Sequence, residues 1–466
     1  MTQAATNSEC PQCAVLRQRN AELEARLAKL EKNSSNSSKP PSSDFVNPAK
    51  AKAAAKPNKK RKIGGQAGHP KHERTPFTPE QIDQRWDYSL DRCPDCDGKL
   101  ELRGEPVSTL QQVEIVTQPI TVSEHRSRAC YCAKCHKTFD ATLPPEVRKL
   151  GLVGSRLTAL VGYLKGGCHC SFTTIRKFLR DAVGVTISRG QLRKVCAKVA
   201  DSLQFSYEEL LAALPHEARL NVDETGHPEN GKRLWTWCFR AQLYTLFKID
   251  PTRKSDVLVE TLGLEFNGVL GCDYFSAYRK YMRLNENVLL QFCLAHLIRD
   301  VKFLVQHPNA KNRAYGERLL DRLRKLFSCI HRQDEYASTE TFELTLAQQA
   351  GKLWYEATNR VPDTRESKAL ALRFEKHGEE YLQFVTTPNI HPTNNLAEQA
   401  IRFVVIDRKI TQGSRGEAGR RWLERIWTTM ATCAQHGISV FHFLDETVRA
   451  YFQNAPLPSL LFNDSA

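Results

Sequence analysis

The chain has 466 residues, 41% of them hydrophobic, enough for about three domains with cores of their own, which excludes a small cross-linked scaffold. Its 67 Lys and Arg against 52 Asp and Glu leave a net charge of +15, which points to an anionic polymer as partner rather than to a small acidic substrate. No run of 18 apolar residues occurs, and the opening MTQAATNSEC lacks the basic-then-apolar order of a signal peptide, so no membrane association is expected and the cytoplasm is the expected compartment.

Over residues 1–32, Leu16, Leu23 and Leu30 recur every seven positions, with Asn20 and Leu27 at the complementary seam positions. This pattern predicts a short coiled coil and a homodimer, a lone surface helix being the other reading of so brief a repeat. Residues 33–75 offer little to bury. The Ser, Asn and Pro of 33–49 read as a linker, and 50–74 holds nine Lys or Arg and one acid, a net +8. This basic arm, with Lys59, Lys60, Arg61 and Lys62 in succession followed by GGQAGHP at 64–70, is expected to contact DNA phosphates or lie in a minor groove.

Residues 76–145 carry Cys93-Pro-Asp-Cys96 and Cys132-Ala-Lys-Cys135, separated by 35 residues. Fifteen cysteines is an odd number for a disulfide framework, and in a reducing compartment CxxC pairs read as metal or redox sites. Four thiolates suit a tetrahedral structural Zn²⁺, and DRCPDCDGKL around the first pair fits the tight turn of a zinc ribbon. Cys130 is a spare ligand, and Cys10-Pro-Gln-Cys13 is a third pair with no evident partner. Between the two pairs, 113–122 alternates as a strand does.

Residues 150–213 have a helical pattern. A helix over 172–181, a turn at Gly184 and a second helix capped by Ser188 resemble a helix-turn-helix, with Arg189, Arg193 and Lys194 near the start of the second helix as DNA contacts. Any small helical domain can present this pattern, and Cys168-His169-Cys170 reads as packing.

From 215 to 304 the texture changes to strands at 219–225, 234–239 and 243–249, a helix near 255–263, then strands at 269–273 and 288–293. Three strands in succession followed by alternating helix and strand predict a mixed sheet with helices packed on it. In ARLNVDETG, Leu220 and Val222 share a face, so Asp223 lies on the opposite face and Glu224 with the apolar pair. Asp273 ends the strand of NGVLGCDYF. In HPTNNLAEQAIR a helix begins near Pro392 and carries Glu398 in its first turns, although Asn395 and Glu398 also have capping-box spacing. Two Asp at strand ends and one Glu on a later helix form the oxygen ligand set for two Mg²⁺ (or Mn²⁺) ions acting on a phosphodiester. Arg402, Arg408 and Lys409 then become candidates for binding DNA phosphates.

At this point the chain resembles the insertion-sequence-66 family of bacterial transposases. The resemblance rests on the heptad followed by LEKNSSNSSKPPSSD, the GGQAGHP arm, the paired CxxC motifs, and VDET, CDYFSAY, CLAHLIRDVKF and NNLAEQAIRFVVIDRK, in that order along nearly the whole chain. It implies a multidomain α/β protein whose ribonuclease-H-like catalytic core is preceded by the coiled coil, zinc-ribbon-like domain and helical domain. It also implies a helical insertion at 305–385, the second part of the core at 386–452 and a tail at 453–466.

The resemblance makes Asp223, Asp273 and Glu398 the catalytic acids of a DDE transposase that binds the terminal inverted repeats of its element, cleaves there with Mg²⁺, and joins the ends to target DNA. Accessory proteins of the same element are possible partners. A nuclease of the same fold without strand transfer, or a zinc-containing DNA-binding regulator descended from such an enzyme, are the rival readings. Cys293-Leu-Ala-His296 departs from the family pattern by carrying Leu294 where an aromatic is usual. Packing beside the active site and metal binding are both open for this pair, which is not counted as a zinc site. Trp354 and Trp422 read as buried aromatics or as surfaces that stack on DNA.

Overall fold

The computed structural model describes residues 12, 15–20, 22–23, 75–90, 92, 94–99, 109–113, 115–116 and 119–462. These fall into two units, one within residues 49–124 and the other comprising the rest. At the N-terminus 15–20 and 22–23 are helical with Leu16 and Leu23 exposed, whereas Leu27, Leu30 and the basic arm, including Lys59, Lys60, Arg61 and Lys62, lie outside the described residues.

Among the described residues of the smaller unit, polar contacts order two short stretches. Thr78 and Gln81 form a capping box on a single 3-10 turn, Pro79–Gln81, and the Gln111 amide bonds both the N–H and the C=O of Phe77 at 2.7 and 3.0 Å. Residues 94–96 turn between Arg92 and Lys99, and Arg92 donates to Asp97 at 2.9 Å across that turn. The strand expected over 113–122 does not form among the described residues there. Val113, Ile115, Val116 and Val122 are exposed, so their alternation buries no apolar face.

The larger unit opens with an antiparallel hairpin, β1 (Ala129–Cys132) and β2 (Lys137–Asp140). A helical layer follows: α1 (Pro145–Leu150), α2 (Ser155–Gly166), α3 (Phe172–Phe178), α4 (Arg189–Ser202) and α5 (Gln204–Ala213). The expected turn is present, because α3 runs on through one π turn and reverses at Gly184, whose φ of 78° lies in the left-handed region that favours glycine. The Ser188 Oγ accepts from the Gln191 N–H at 3.1 Å and starts α4. Val161, Ile175, Leu192, Val195 and Val199 close this layer's core.

The central sheet contains β3 (Arg219–Glu229), β4 (Lys232–Arg240), β5 (Thr245–Asp250), β6 (Val269–Cys272) and β7 (Leu289–Phe292), in the order β5-β4-β3-β6-β7. The first three form an antiparallel meander. Asn230-Gly231 joins β3 to β4 with positive φ at both residues, as a two-residue primed turn demands. The β6 and β7 strands add in parallel beyond β3, with α6 (Asp256–Leu262) between β5 and β6 and α7 (Ser276–Leu284) between β6 and β7. Beyond β7 come α8 (Leu294–Val305), three long helices α9 (Ala310–His331), α10 (Thr339–Thr358) and α11 (Arg365–Thr386), then α12 (Asn395–Thr411), α13 (Glu417–Gln435) and α14 (Val440–Gln453).

Helix α13 covers the edge of the sheet chemically as well as sterically. Three alternate N–H groups of β5, those of Thr245, Phe247 and Ile249, donate to Thr432 Oγ1, Thr428 Oγ1 and Glu424 Oε1 at 3.2, 3.0 and 2.7 Å. Four residues of helix rise about 6 Å and two residues of strand about 6.6 Å, so a side chain every fourth position keeps step with the edge it satisfies. None of the described helices is long and apolar enough to cross a membrane.

Candidate active site

Along β3 the side chains alternate, with Leu220, Val222 and Glu224 buried and Asn221 and Asp223 on the more open face, as the period of two requires. Asn221 pairs with Gly271 on the adjacent parallel strand β6. Asp223 lies two residues beyond Asn221 on β3, and Asp273 two residues beyond Gly271, just past the end of β6. A Cβ at Gly271 would stand 2.5 Å from the Asn221 amide, so the close approach of the strands here needs glycine. The Asp223 Oδ1 accepts the Glu224 N–H at 2.9 Å, and the Asp273 Oδ1 accepts the Phe275 N–H at 2.8 Å.

Glu398 arrives from α12, whose start is fixed by Asn394. This buried residue donates through Nδ2 to the Val222 C=O at 2.8 Å, accepts from Asn221 Nδ2 at 2.9 Å, and donates its backbone N–H to Cys293 Sγ at 3.1 Å. The Pro392 C=O accepts the Leu294 N–H at 2.9 Å, so the segment entering α12 is tied to both β3 and α8. Four such bonds, each contributing about 1 kcal/mol, hold Glu398 at the carboxyl end of the sheet. The capping-box reading of Asn395 and Glu398 is corrected. The cap is Asn394, it makes no side-chain cap bond, and the Glu398 oxygens face His296 Nδ1 at 3.5 Å and Arg299 Nη2 at 3.3 Å on α8.

The three carboxylates act on one another. Burial, followed by the charges of Glu224, Asp273 and Glu398, holds the Asp223 carboxyl well above its ordinary range. Burial and the Glu224 charge push Asp273 up to about 6, against the opposing pull of His296, the Phe275 N–H and Arg253. Acids drawn from distant parts of the chain, with Asp223 destabilised by the charges of Asp273 and Glu398 as well as of Glu224, suit a divalent cation with oxygen ligands. The buried Glu398 Oε1, which has no hydrogen-bond partner, is consistent with that use.

Glu224 plays a different part. Its buried carboxylate accepts from Arg253 Nε at 2.6 Å and from the Tyr278 hydroxyl, so β3 is locked to α7 and to the β5–α6 connection immediately behind Asp223. Arg253 in turn lies 3.8 Å from the centre of the Phe275 ring. Tyr274, next to Asp273, has the guanidinium groups of Arg279 and Arg373 each 4.3 Å from its ring centre, and Arg373 is paired with Asp300 at 2.8 Å. The chain around Asp273 is thereby tied to α8 and α11.

The other candidate residues divide. Arg189 and Arg193 are exposed at the start of α4, and Arg402 and Lys409 are exposed on α12. Arg408 turns inward and donates to Thr225 Oγ1 at 2.8 Å and to the Gly226 C=O, so it is a strut between α12 and β3 and not a free phosphate ligand. Trp422 is buried, and Trp354 packs so closely on Gly378 that a Cβ there would meet its ring at 2.4 Å.

Cys132 ends β1 and Cys135 lies in the turn to β2, where the Cys135 backbone N–H, the Cys135 thiol and the Lys134 N–H lower the Cys132 thiol pKa, as fits a metal-binding knuckle. Cys96 lies in the smaller unit, and Cys93 falls outside the described residues. His169, read from sequence as packing, bonds through Nδ1 to the buried Asp407 at 2.9 Å, and Trp427 Nε1 donates to the other Asp407 oxygen at 3.0 Å. Nothing local in the sequence signals that clamp between the helical layer and α12.

The model of the transposase IS66 family matches residues 150–421, and that of a family of unknown function, DUF6444, matches residues 5–75. The chain is 24% identical over 345 residues to a Sinorhizobium fredii protein described as "Uncharacterized protein y4qI", a match covering 68% of this chain and 63% of that protein. A second protein of that organism, "Uncharacterized protein y4jD", is 24% identical over 368 residues, covering 72% of this chain and 70% of its own length.

Proposed function

The chain belongs to the transposase IS66 family, and we propose that it cuts and joins DNA at the ends of an insertion sequence, with Asp223, Asp273 and Glu398 as the catalytic acids. The observation that carries this reading is that the charges of Asp273, just past the end of β6, and of Glu398, on the first turn of α12, both bear on the buried Asp223 carboxyl of β3. The strand order β5-β4-β3-β6-β7, a meander extended by a parallel pair, supports a ribonuclease-H-like core.

Asp223, Asp273 and Glu398 would hold two Mg²⁺ or Mn²⁺ ions, which when bound lower the pKa of the attacking water or 3′-hydroxyl and neutralise the leaving oxygen. The chain's own part is positional. Phe275 and Glu224 N–H groups aim the aspartates, Asn394 sets the depth of Glu398, and Arg253 pairs with the buried Glu224 carboxylate behind Asp223. Exposed Arg402 and Lys409 on the same helix as Glu398, with Arg189 and Arg193 on α4, would bind phosphates and fix the DNA without selecting bases. The basic arm would add affinity of the same kind, and Cys93, Cys96, Cys132 and Cys135 would hold a structural Zn²⁺ in an end-binding module.

The test uses a labelled duplex carrying the element's terminal repeat, a supercoiled target and Mg²⁺. Wild-type protein is expected to release a 3′-hydroxyl and join it to the target. Asp223→Ala, Asp273→Ala and Glu398→Ala should each abolish both steps while binding the repeat nearly normally. Normal cleavage by any of the three variants refutes the assignment, and cleavage without joining by the wild type favours the nuclease reading.

A further inference from the structure

Beside the carboxylates lies a second set of donor atoms of different chemistry. Cys293 is the last residue before α8, and His296 sits one turn into it, so both face α12. Their ligand atoms, Cys293 Sγ and a His296 ring nitrogen, lie within 4.8 Å of one another and of a Glu398 carboxylate oxygen. Two atoms of this group are buried without a hydrogen-bond partner, His296 Nδ1 and Glu398 Oε1, and they are 3.5 Å apart. Arg299 occupies the other Glu398 oxygen, Oε2, at 3.3 Å. The Asn394 N–H, at the start of the helix bearing Glu398, points at the Cys293 sulfur from 3.1 Å, the kind of contact that steadies a thiolate ligand.

We propose that Cys293, His296 and Glu398 form a binding site for a borderline divalent ion such as Zn²⁺, separate in chemistry from the oxygen site that Glu398 shares with Asp223 and Asp273. Thiolate, imidazole and carboxylate together select zinc-like ions over Mg²⁺, which rejects sulfur and prefers an all-oxygen octahedron. Tetrahedral bonds of about 2.0–2.3 Å set neighbouring donors about 3.4–3.7 Å apart. The three donors therefore need only about 1 Å of side-chain movement to close from their 4.8 Å span. Three protein ligands leave a fourth position for water. The ion satisfies both orphan atoms at once, and it draws Glu398 towards α8.

A consequence follows that rests on the proposed phosphodiester chemistry. Zn²⁺ held here takes Glu398 from the oxygen site, so zinc opposes Mg²⁺-dependent cleavage. The site itself does not depend on that chemistry.

The test uses the full chain, expressed with Co²⁺ as the probe metal, and counts metal by mass spectrometry alongside the optical spectrum. Cys293→Ser and His296→Gln are each expected to carry about one metal fewer per chain than the wild type, and Cys293→Ser to lose near-ultraviolet thiolate-to-cobalt absorption. Cys132→Ser, which addresses the other thiolates, should leave that difference intact. Unchanged metal content and spectrum in folded His296→Gln overturn the proposal. His296→Gln also decides the matter if buried Cys293→Ser fails to fold, with circular dichroism confirming its fold. Loss of metal in these variants together with a wild type that cannot cleave DNA would uphold the site while refuting the cleavage reading.

Discussion

Replacing Asp273 by Asn keeps the shape of the side chain and its bond from the Phe275 N–H, and removes only the charge. With its pKa raised from 3.8 to about 6, the ionised aspartate costs the metal-free fold about 3 kcal/mol at pH 7.5 and about half that at pH 5. The sign follows from the raised value. The contribution is fully present when the carboxyl is protonated below its unfolded pKa, and it is lost as pH rises through the folded one. In EDTA, Asp273→Asn should therefore be more stable than the wild type by up to about 3 kcal/mol at pH 7.5, with the gap halving at pH 5. Urea unfolding followed by tryptophan fluorescence reads this directly, because Trp237 on β4 and Trp427 on α13 are fully buried around the sheet. Adding 10 mM Mg²⁺ should close about half of that gap, stabilising the wild type by about 1.4 kcal/mol if its Kd is on the order of 1 mM, and leaving the variant unmoved. A variant less stable than the wild type in EDTA, or one that gains equally from Mg²⁺, refutes the account of this site as a set of mutually repelling cation ligands.

Burial, reinforced by Arg408 and Arg420, holds the His227 imidazole pKa down at about 4, and its ring bonds Ser414 Oγ at 3.0 Å. Because that value is depressed, its contribution is full above about pH 6.5 and declines by up to about 3 kcal/mol as pH falls towards 4, so the stability difference between His227→Gln and the wild type should shrink over that window. Parallel stability curves for the two proteins would contradict this. Thr428→Val, nearly isosteric, strips the Phe247 N–H of its acceptor and should destabilise the fold by about 1–3 kcal/mol, measured by the urea midpoint, with the β5 amides losing exchange protection. Cys132→Ser should release about one zinc per chain and weaken binding to the element's ends while sparing the cooperative unfolding of the central sheet, since ligand binding and folding are coupled in small zinc modules. A metal-free protein that binds DNA fully would refute the zinc assignment.

The sequence alone determined the local elements of this protein wherever one chemical signal sufficed. The start of the helix at Arg189 was readable from its Ser188 cap, and three successive strands after residue 215 from their apolar patterning. The facing of Asp223 and Glu224 followed from the strand period, and the structure confirms that Glu224 shares the buried face with Leu220 and Val222. These features depend on neighbours one to four residues away, so spacing carries them. Only the tertiary structure decided what depends on atoms brought from afar. Residues 113–122 alternate as a strand does, yet no strand forms among those described there. Arg408 was as good a phosphate ligand as Lys409 until α12 docked on β3 and turned it into the sheet. Glu398 had the spacing of a cap, but Asn394, held by Val222, Asn221 and Cys293 from about 100 to 170 residues away, aims it instead at His296 and Arg299. A hydrogen bond between distant residues leaves no period in the chain, because its geometry exists only after the elements have packed.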